Sequence, residues 1–449
     1  MDAGNLNNRP LNIAVIGTGI AGMSAAWLLH KAHRVTVYEQ HDWIGGHANT
    51  VDVPTGEGTT PVDTGFIVYN ERNYPNLTAL FDHLDVPTKE SEMSFGASLD
   101  RGGFEYSGTN LNGILGQRRN LFRPRFWSMI RDIFSFYRAA SKILNDPLSN
   151  NISIGDYLAQ NNYTDSFIDD HLLPMGAAIW STTAAEMKAY PAKAFIRFFE
   201  SHGLFTLNDR PQWRTVDGGS RAYVRRLTAA YRDRIVFNGV RAVRRVANEA
   251  VVEDMAGNVT AYDHVVLATH ADEAAALLSD GDERESGLLG RWHYTSNRAV
   301  LHHDASLMPK RRRVWSSWNF IGDPDEGGKN RLCVTYWMNH LQSLETDEPI
   351  FLTLNPVREP ANGTVVREFD YAHPFFDSDV LATQQDLWSL QGHRRTWYCG
   401  SYFGYGFHED ALQSGLAVGE RLGGVSRPWN VSGMNDRLDF GGTFREHAA

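Results

Sequence analysis

Three glycines, Gly17, Gly19 and Gly22, stand in GxGxxG spacing near the start of the chain, and Glu39 follows 22 residues after the first. Glycines so spaced permit a tight turn, let a pyrophosphate approach the backbone, and let a helix pack closely on a strand. A carboxylate at Glu39 accepts both hydroxyls of an adenosine ribose and repels a 2′-phosphate. For these groups to meet, Ile13 to Ile16 must form a short buried strand. A helix must then start near Ile20, with its free N–H groups and positive dipole end at the phosphates. "RVTVYE" must be a second strand that ends on Glu39. The elements occur in that order, which reads as a dinucleotide site. An ordinary strand-to-helix turn with a solvated strand end is the alternative.

The chain has 449 residues, enough for two or three domains, and its 42% hydrophobic content suffices for packed cores. A formal charge of −10 argues against general nucleic-acid binding, which needs a basic surface. The two cysteines, Cys333 and Cys399, form no CxxC pair. A disulfide scaffold, a Cys-rich zinc site and the disulfide reductases are therefore excluded, no metal site is expected, and a reducing compartment fits. The first apolar run is too short and glycine-rich for a signal peptide, and no apolar stretch reaches spanning length. The expected location is the cytoplasm.

Six further stretches carry the cofactor argument: "QHDWIGGHANT", "PVDTGFIVYNERNYPNL", "TVDGGSRAYVRRL", "IVFNGVRAVRRV", "DHVVLATHADEAAALL" and "WYCGSYFGYGFHEDALQSGLAVGERL". In this order, from about residue 11 to 422, they resemble the FAD-dependent flavoproteins of the amine oxidase and phytoene desaturase superfamily. The resemblance implies a Rossmann-like α/β FAD-binding domain with a discontinuous substrate domain of mixed sheet plus helices (α+β). FAD is the implied cofactor. Gly17, Gly19, Ile20, Ala21 and Gly22 would form the phosphate turn, with Glu39 and Gln40 at the ribose. Gly45, Gly46 and His47 would lie along the pyrophosphate, and Thr64 and Gly65 near the flavin. Val240 would reach the adenine side, and Ala268 and Thr269 match the family's strand-plus-"AT" signature as further cofactor contacts. Gly400, Ser401, His408 and Ala411 would close on the ribityl chain and flavin. Two positions depart from the family pattern: His47 stands where Arg or Lys is usual, and Ser401 where an acid is common.

The chain looks most like a bacterial branch described as predicted NAD/FAD-binding proteins, to which "LLPMGAAIWS", "WSSWNF" and "VTYWMNHLQ" also fit. That branch is associated with cyclopropane-fatty-acid-synthase-like methyltransferases, which implies a fatty-acid methyltransferase as partner and a lipid-like substrate. No second GxGxxG follows a strand, so reduction by a nicotinamide nucleotide is disfavoured. What remains is a substrate that reduces the flavin, or a flavin that assists isomerisation.

The expected function is oxidation of a substrate C–H at the flavin, dehydrogenating or desaturating a fatty-acyl or other lipid-like chain. Amine oxidase, carotenoid desaturase and flavin-assisted double-bond isomerase are the rivals, and a flavin-binding accessory protein is the non-enzymatic alternative. The catalytic candidates are His408, Glu409 and Tyr405, at the start of the final helix. A hydrogen-bonding wall is the competing reading for them, as for His47 and His270. Trp180, Trp318, Tyr336, Trp337 and Tyr402 are the candidate substrate-pocket aromatics, with core packing as the alternative. Cys399 reads as a packed small residue.

The discontinuous motifs place residues 1–85, 210–290 and 395–449 in the FAD domain and 86–209 and 291–394 in the substrate domain. Within the latter, "QRRNLFRPRFWSMIRDIFSFYRAASK" carries six arginines and a lysine against one acid. A helix from about Arg125 would place Phe126, Ile130, Ile133, Phe134 and Tyr137 on one face, flanked by Arg131 and Arg138. It reads either as a core helix with a solvated basic edge or as an interfacial helix on an anionic membrane, joined by "PKRRRVW". The second reading makes the protein peripheral on the inner membrane face.

Overall fold

Asn12–Ile16 forms a strand whose last four residues are buried, as an apolar run in a sheet covered on both faces must be. It is the middle of a five-stranded parallel sheet of order Ile235–Phe237, Arg34–Glu39, Asn12–Ile16, His264–Leu267, Thr396–Tyr398. Numbered along the chain this is 3-2-1-4-5, and the order reverses beside Asn12–Ile16, the crevice where such sheets bind ligands. The computed structural model describes residues 9–441 apart from 57, 109, 147–151, 181–183, 206–209 and 325–329.

The helix Ile20–Leu29 follows the first strand and is buried along its whole length. Its neighbour is the last helix, His408–Gly423, and glycines set the closeness of that pair. A Cβ on Gly415 would overlap the Ala21 carbonyl and the Ser24 hydroxyl, and one on Gly419 would sit 3.0 Å from Leu28 Cβ.

A second sheet of seven strands runs Val365–Phe375, His293–His302, Phe351–Leu354, Asn330–Trp337, Trp318–Pro324, Phe95–Leu99, Phe104–Ser107. It is antiparallel except where Trp318–Pro324 pairs with Phe95–Leu99. The chain thus leaves the parallel sheet after its second strand, supplies Phe95–Ser107, goes back for the third and fourth parallel strands, and then adds five more strands to the second sheet before the closing motif. Helices Pro124–Ala139 and Leu173–Trp180 pack beside this sheet, and Ala192–Ser201 packs against Ile154–Gln160. One large cavity runs from the crevice of the parallel sheet to the face of the second sheet.

The helix Pro124–Ala139 starts one residue earlier than expected, with proline in its first turn, where no amide partner is lost. It buries Phe126, Met129 and Phe136, with Ile130, Ile133 and Tyr137 partly covered. Phe134 does not share that face. One residue past Ile133, it is turned about 100° round the axis and is 45% exposed.

Candidate active site

The glycine turn is built as its spacing demands. Gly17 has φ +103°, and a Cβ there would lie 2.7 Å from the Ala268 carbonyl. A Cβ on Gly22 would overlap the Gly17 carbonyl, so this glycine brings helix and turn together and does not line the cavity. Gly19 differs from both: its missing Cβ faces open space, with no protein atom within 4 Å. It caps Ile20–Leu29 without any side-chain hydrogen bond, so the first-turn amides are left for a ligand.

Glu39 is buried at the end of its strand. Its carboxylate accepts from the Thr18 amide (3.1 Å), the Thr18 hydroxyl and the His41 amide (2.9 Å). The Gly45 amide donates to Thr18 Oγ1 at 3.2 Å, so one side chain ties the acid to the glycine-pair loop. Gly45 and Gly46 both have positive φ, and Gly46 lies against Gly19. Gln40, Val240, Arg241 and Glu273 complete this end of the cavity.

Further along, Asp63 is buried and does not line this cavity. It accepts from Thr50 Oγ1 (2.6 Å), the Ser220 amide (2.9 Å) and Gln342 Nε2 (2.8 Å). Burial pushes its carboxyl up to about 6 against these bonds. This pin fixes the hairpin Thr50–Asp63, and so presents Thr64 and Gly65 to the cavity wall. Thr64 Oγ1 and Tyr371 OH are 2.7 Å apart, and Asn49 Nδ2 donates to the same phenol at 3.0 Å.

Beside Tyr371 lies a cluster of imidazoles. The His47 ring is 5.4 Å from His373 and 6.3 Å from His270, while His270 stacks on Tyr294 at 4.2 Å. Burial, then the neighbouring imidazoles, hold His47 well below its ordinary range, and burial brings His373 down to about 4. The position that is usually cationic in the family is therefore neutral here.

The closing motif sets the far wall. Gly400, Ser401, Tyr402, Tyr405, His408 and Ala411 all line the cavity, as do Ala268 and Thr269. His408 stacks on Phe66 at 3.9 Å and its Nε2 lies 2.8 Å from Tyr223 OH, and burial pushes the imidazole down to about 3. The imidazole is therefore neutral at ordinary pH. Cys399 is buried, and burial raises its thiol, which keeps it protonated.

Glu409 requires a correction: it does not reach the cavity. One residue on from His408 it is turned about 100° away, and it caps another helix. Its carboxylate accepts from the Asn76 amide (3.0 Å), Asn76 Nδ2 (2.8 Å), the Leu77 amide (3.0 Å) and Gln413 Nε2 (3.0 Å). Burial pushes it up to about 7 in spite of these donors. Trp337 is corrected too. Tyr336 lines the cavity, and the next residue on a strand points to the opposite face. Trp337 stacks there on His340 at 5.1 Å. Trp180 ends the helix Leu173–Trp180, and its side chain lies outside the described residues.

Trp318, Tyr336 and Tyr402 do meet at the cavity, with Trp318 edge-on to Tyr336 at 4.8 Å. Among the described residues, Trp318 Nε1 and the Tyr402 hydroxyl are buried without a hydrogen-bond partner. Such groups are costly unless something else satisfies them. Sequence reasoning missed Phe66, Tyr223, Tyr371, His373 and His202. Phe369, Tyr371 and His373 carry a period of two that the strand pattern exposes. His202 and Tyr223 had no local signal.

The cavity encloses about 1120 Å³, above the ~300–1,000 Å³ of an ordinary small-molecule site. A nucleotide-shaped track with a glycine cradle, leading to a second chamber, defines a dinucleotide-binding oxidoreductase. The chain belongs to the flavin containing amine oxidoreductase family, whose sequence pattern matches residues 20–422. By family it is an FAD-dependent oxidoreductase, and the open cradle at Gly19 fits that cofactor. A stretch of 44 residues is 48% identical to L-amino-acid oxidase of Bungarus fasciatus, covering 10% of this chain and 8% of that protein. The fold is that of putrescine oxidase bound to putrescine (TM-score 0.64, 16% identity, 92% of this chain and 99% of that one). It is equally that of a CLA-producing fatty acid isomerase from P. acnes (TM-score 0.63, 14% identity, 92% and 98%). Cyclohexylamine oxidase from Brevibacterium oxydans IH-35A is similar again (TM-score 0.62, 14% identity, 92% and 99%).

Proposed function

We propose that the enzyme oxidises or rearranges an apolar, lipid-like substrate, with a fatty-acyl chain as the best fit to its second chamber. The distribution of charge along the cavity carries this reading. The chamber beyond the closing motif is walled by Met93, Phe95, Met175, Ile179, Leu204 and Leu352, with Trp318 and Tyr336 at the sheet. No carboxylate or cation is among them. The charged lining residues are Glu39, Arg241 and Glu273 at the nucleotide end, and Arg367, Glu368 and Asp370 on the strand beside the glycine-pair loop. A protonated amine would find no counter-ion among the described residues of the chamber, whereas an acyl chain buries itself against methionine and aliphatic carbon.

Gly17 to Ile20 and Gly45–Gly46 would hold the pyrophosphate, and Glu39 the ribose. Bound there, FAD supplies the capacity to take up a hydride equivalent from a substrate C–H. The chain itself excludes water with Phe66, Phe407 and Tyr405. It holds the His408 imidazole neutral, and offers Trp318 Nε1 and Tyr402 OH as unpaired donors. A second reading, oxidation of an amine bound as its free base, is favoured by the edge-on Trp318–Tyr336 pair.

One experiment separates the two. The flavin-loaded protein is incubated anaerobically with unsaturated fatty acids and, separately, with putrescine and cyclohexylamine. Flavin bleaching or a shifted double bond is read by spectroscopy and chromatography. Turnover of acyl chains alone supports the lipid reading, and bleaching by amines alone overturns it.

A further inference from the structure

Ten large apolar residues are well exposed among the described residues, and four of them, Leu121, Phe122, Trp127 and Phe134, fall within fourteen positions. Phe122 is 88% exposed, more than any other. Trp127 Nε1 donates to the Leu121 carbonyl at 2.8 Å, which gathers the first three into one knob. Along the helix Pro124–Ala139 the outer stripe reads Trp127, Arg131, Phe134, Arg138, at i, i+4, i+7 and i+11. Aromatic and cationic groups therefore alternate on the side away from the core. The inner stripe is separate and fully used, so the outer aromatics are not needed for packing.

The basic loop after Met308 joins this face. Arg119 and Arg123 donate to the Gly103 carbonyl at 3.0 and 2.7 Å, and Arg311 donates to Gly102 O at 3.2 Å. One turn, Gly102–Gly103, therefore holds both basic segments side by side. Arg311 is neutralised by Glu105 and Arg131 by Asp132. Arg118, Arg138 and Arg313 are exposed and, among the described residues, have no carboxylate partner. These cations sit on a protein of net charge −10.

We infer that this face docks on a bilayer containing anionic phospholipid. Phe122, Trp127 and Phe134 would enter the acyl boundary, with the arginines at the headgroups. Phe122 stands almost bare between arginines, a combination that solvent alone gives no reason to expose. A surface that is negative outside and apolar within matches both. The inner side of the same helix reaches the wall of the apolar chamber through packed rings. Tyr137, on the inner side of the helix, is 3.3 Å from His171 Nε2, and that ring packs edge-on to Phe95 of the chamber wall. The inference stands on the surface residues and does not require the acyl reading of the substrate.

The test is flotation of the flavin-loaded protein with phosphatidylcholine vesicles, with and without phosphatidylglycerol. Binding is expected only when phosphatidylglycerol is present. It should fall as ionic strength rises from 0.1 to 1 M, where the Debye length shrinks from about 10 to about 3 Å. Each unpaired cation contributes about fivefold, so Arg118→Ser/Arg138→Ser/Arg313→Ser should bind about a hundredfold more weakly. Phe122→Ser should lose about tenfold or more through its apolar area. Both variants should keep the flavin content and thermal midpoint of the parent, which separates lost docking from lost folding. Equal binding to neutral vesicles, or binding to neither, overturns the inference. So does a Phe122→Ser variant that binds vesicles normally but changes oligomeric state, since the face would then join two copies of the chain.

Discussion

Replacing Gly19 should separate cofactor binding from folding. The residue has φ −59° and ψ 170°, a conformation open to any L-residue, and a Cβ there meets no protein atom within 4 Å. In Gly19→Ala the apo fold therefore pays no steric penalty. Alanine is a poorer helix cap than glycine by up to about 1 kcal/mol, and the stiffer unfolded chain returns about 0.4–1 kcal/mol. The two nearly cancel. The new methyl fills the space where a pyrophosphate would touch the first-turn amides. Loss of one or two charge-assisted hydrogen bonds costs about 1.5–3 kcal/mol each, so FAD should bind more weakly by at least about tenfold. Gly19→Val, with two further methyls, should be purified colourless. Gly22→Ala is the contrasting control, because its Cβ would overlap the Gly17 carbonyl and the apo protein itself should be destabilised. The assay pairs FAD titration by fluorescence quenching with thermal melts of the apo forms. Gly19→Val with unchanged FAD affinity, or an apo form that fails to fold, refutes the reasoning.

Other outcomes follow from the same geometry. Glu409, raised from its ordinary range to about 7 by burial, binds a proton more tightly in the folded chain than in the unfolded one. Stability should therefore be greatest below the unfolded value and fall, on the order of 3 kcal/mol, as pH rises through about 7. Glu409→Gln should flatten that slope in denaturant titrations, and an unchanged slope would count against it. His408, held near 3, should contribute no inflection to the pH–rate profile between pH 5 and 8. An inflection abolished in His408→Asn would refute its neutral role. Trp318→Ala should lower kcat/KM by tenfold or more through lost contact with substrate. Trp337→Ala, on the opposite face of the sheet, should leave turnover within about twofold, and equal losses in the two would dispose of this assignment.

The phosphate turn was legible because its chemistry is local: glycines, strand and acid lie within thirty residues, and each constrains the next. The chamber was less legible. Tyr336 and Trp337 are adjacent, and only the register of Asn330–Trp337 decides which faces the cavity. His408 and Glu409 look alike beside a helix start, yet a single step of helical rotation sends one to the cavity wall and the other to the amides of Asn76 and Leu77. Partners hundreds of residues apart, such as Phe66 with His408, leave no mark in a single sequence. On Pro124–Ala139 the helical period is plain in the sequence, but whether Phe134 falls on the buried or the outer stripe depends on a rotation of one residue.

The glycine-lined crossing of Ile20–Leu29 with His408–Gly423 joins the two ends of the chain. Its consequence concerns biosynthesis. On a ribosome the first strand, turn and helix emerge early, but the helix that must cover them arrives almost four hundred residues later. Until Thr396–Tyr398 appears, the His264–Leu267 strand presents an open edge, a hazard for association between nascent chains. Apoprotein released without flavin, or chains that stop short of Gly415, should depend on chaperones in a way the finished enzyme does not.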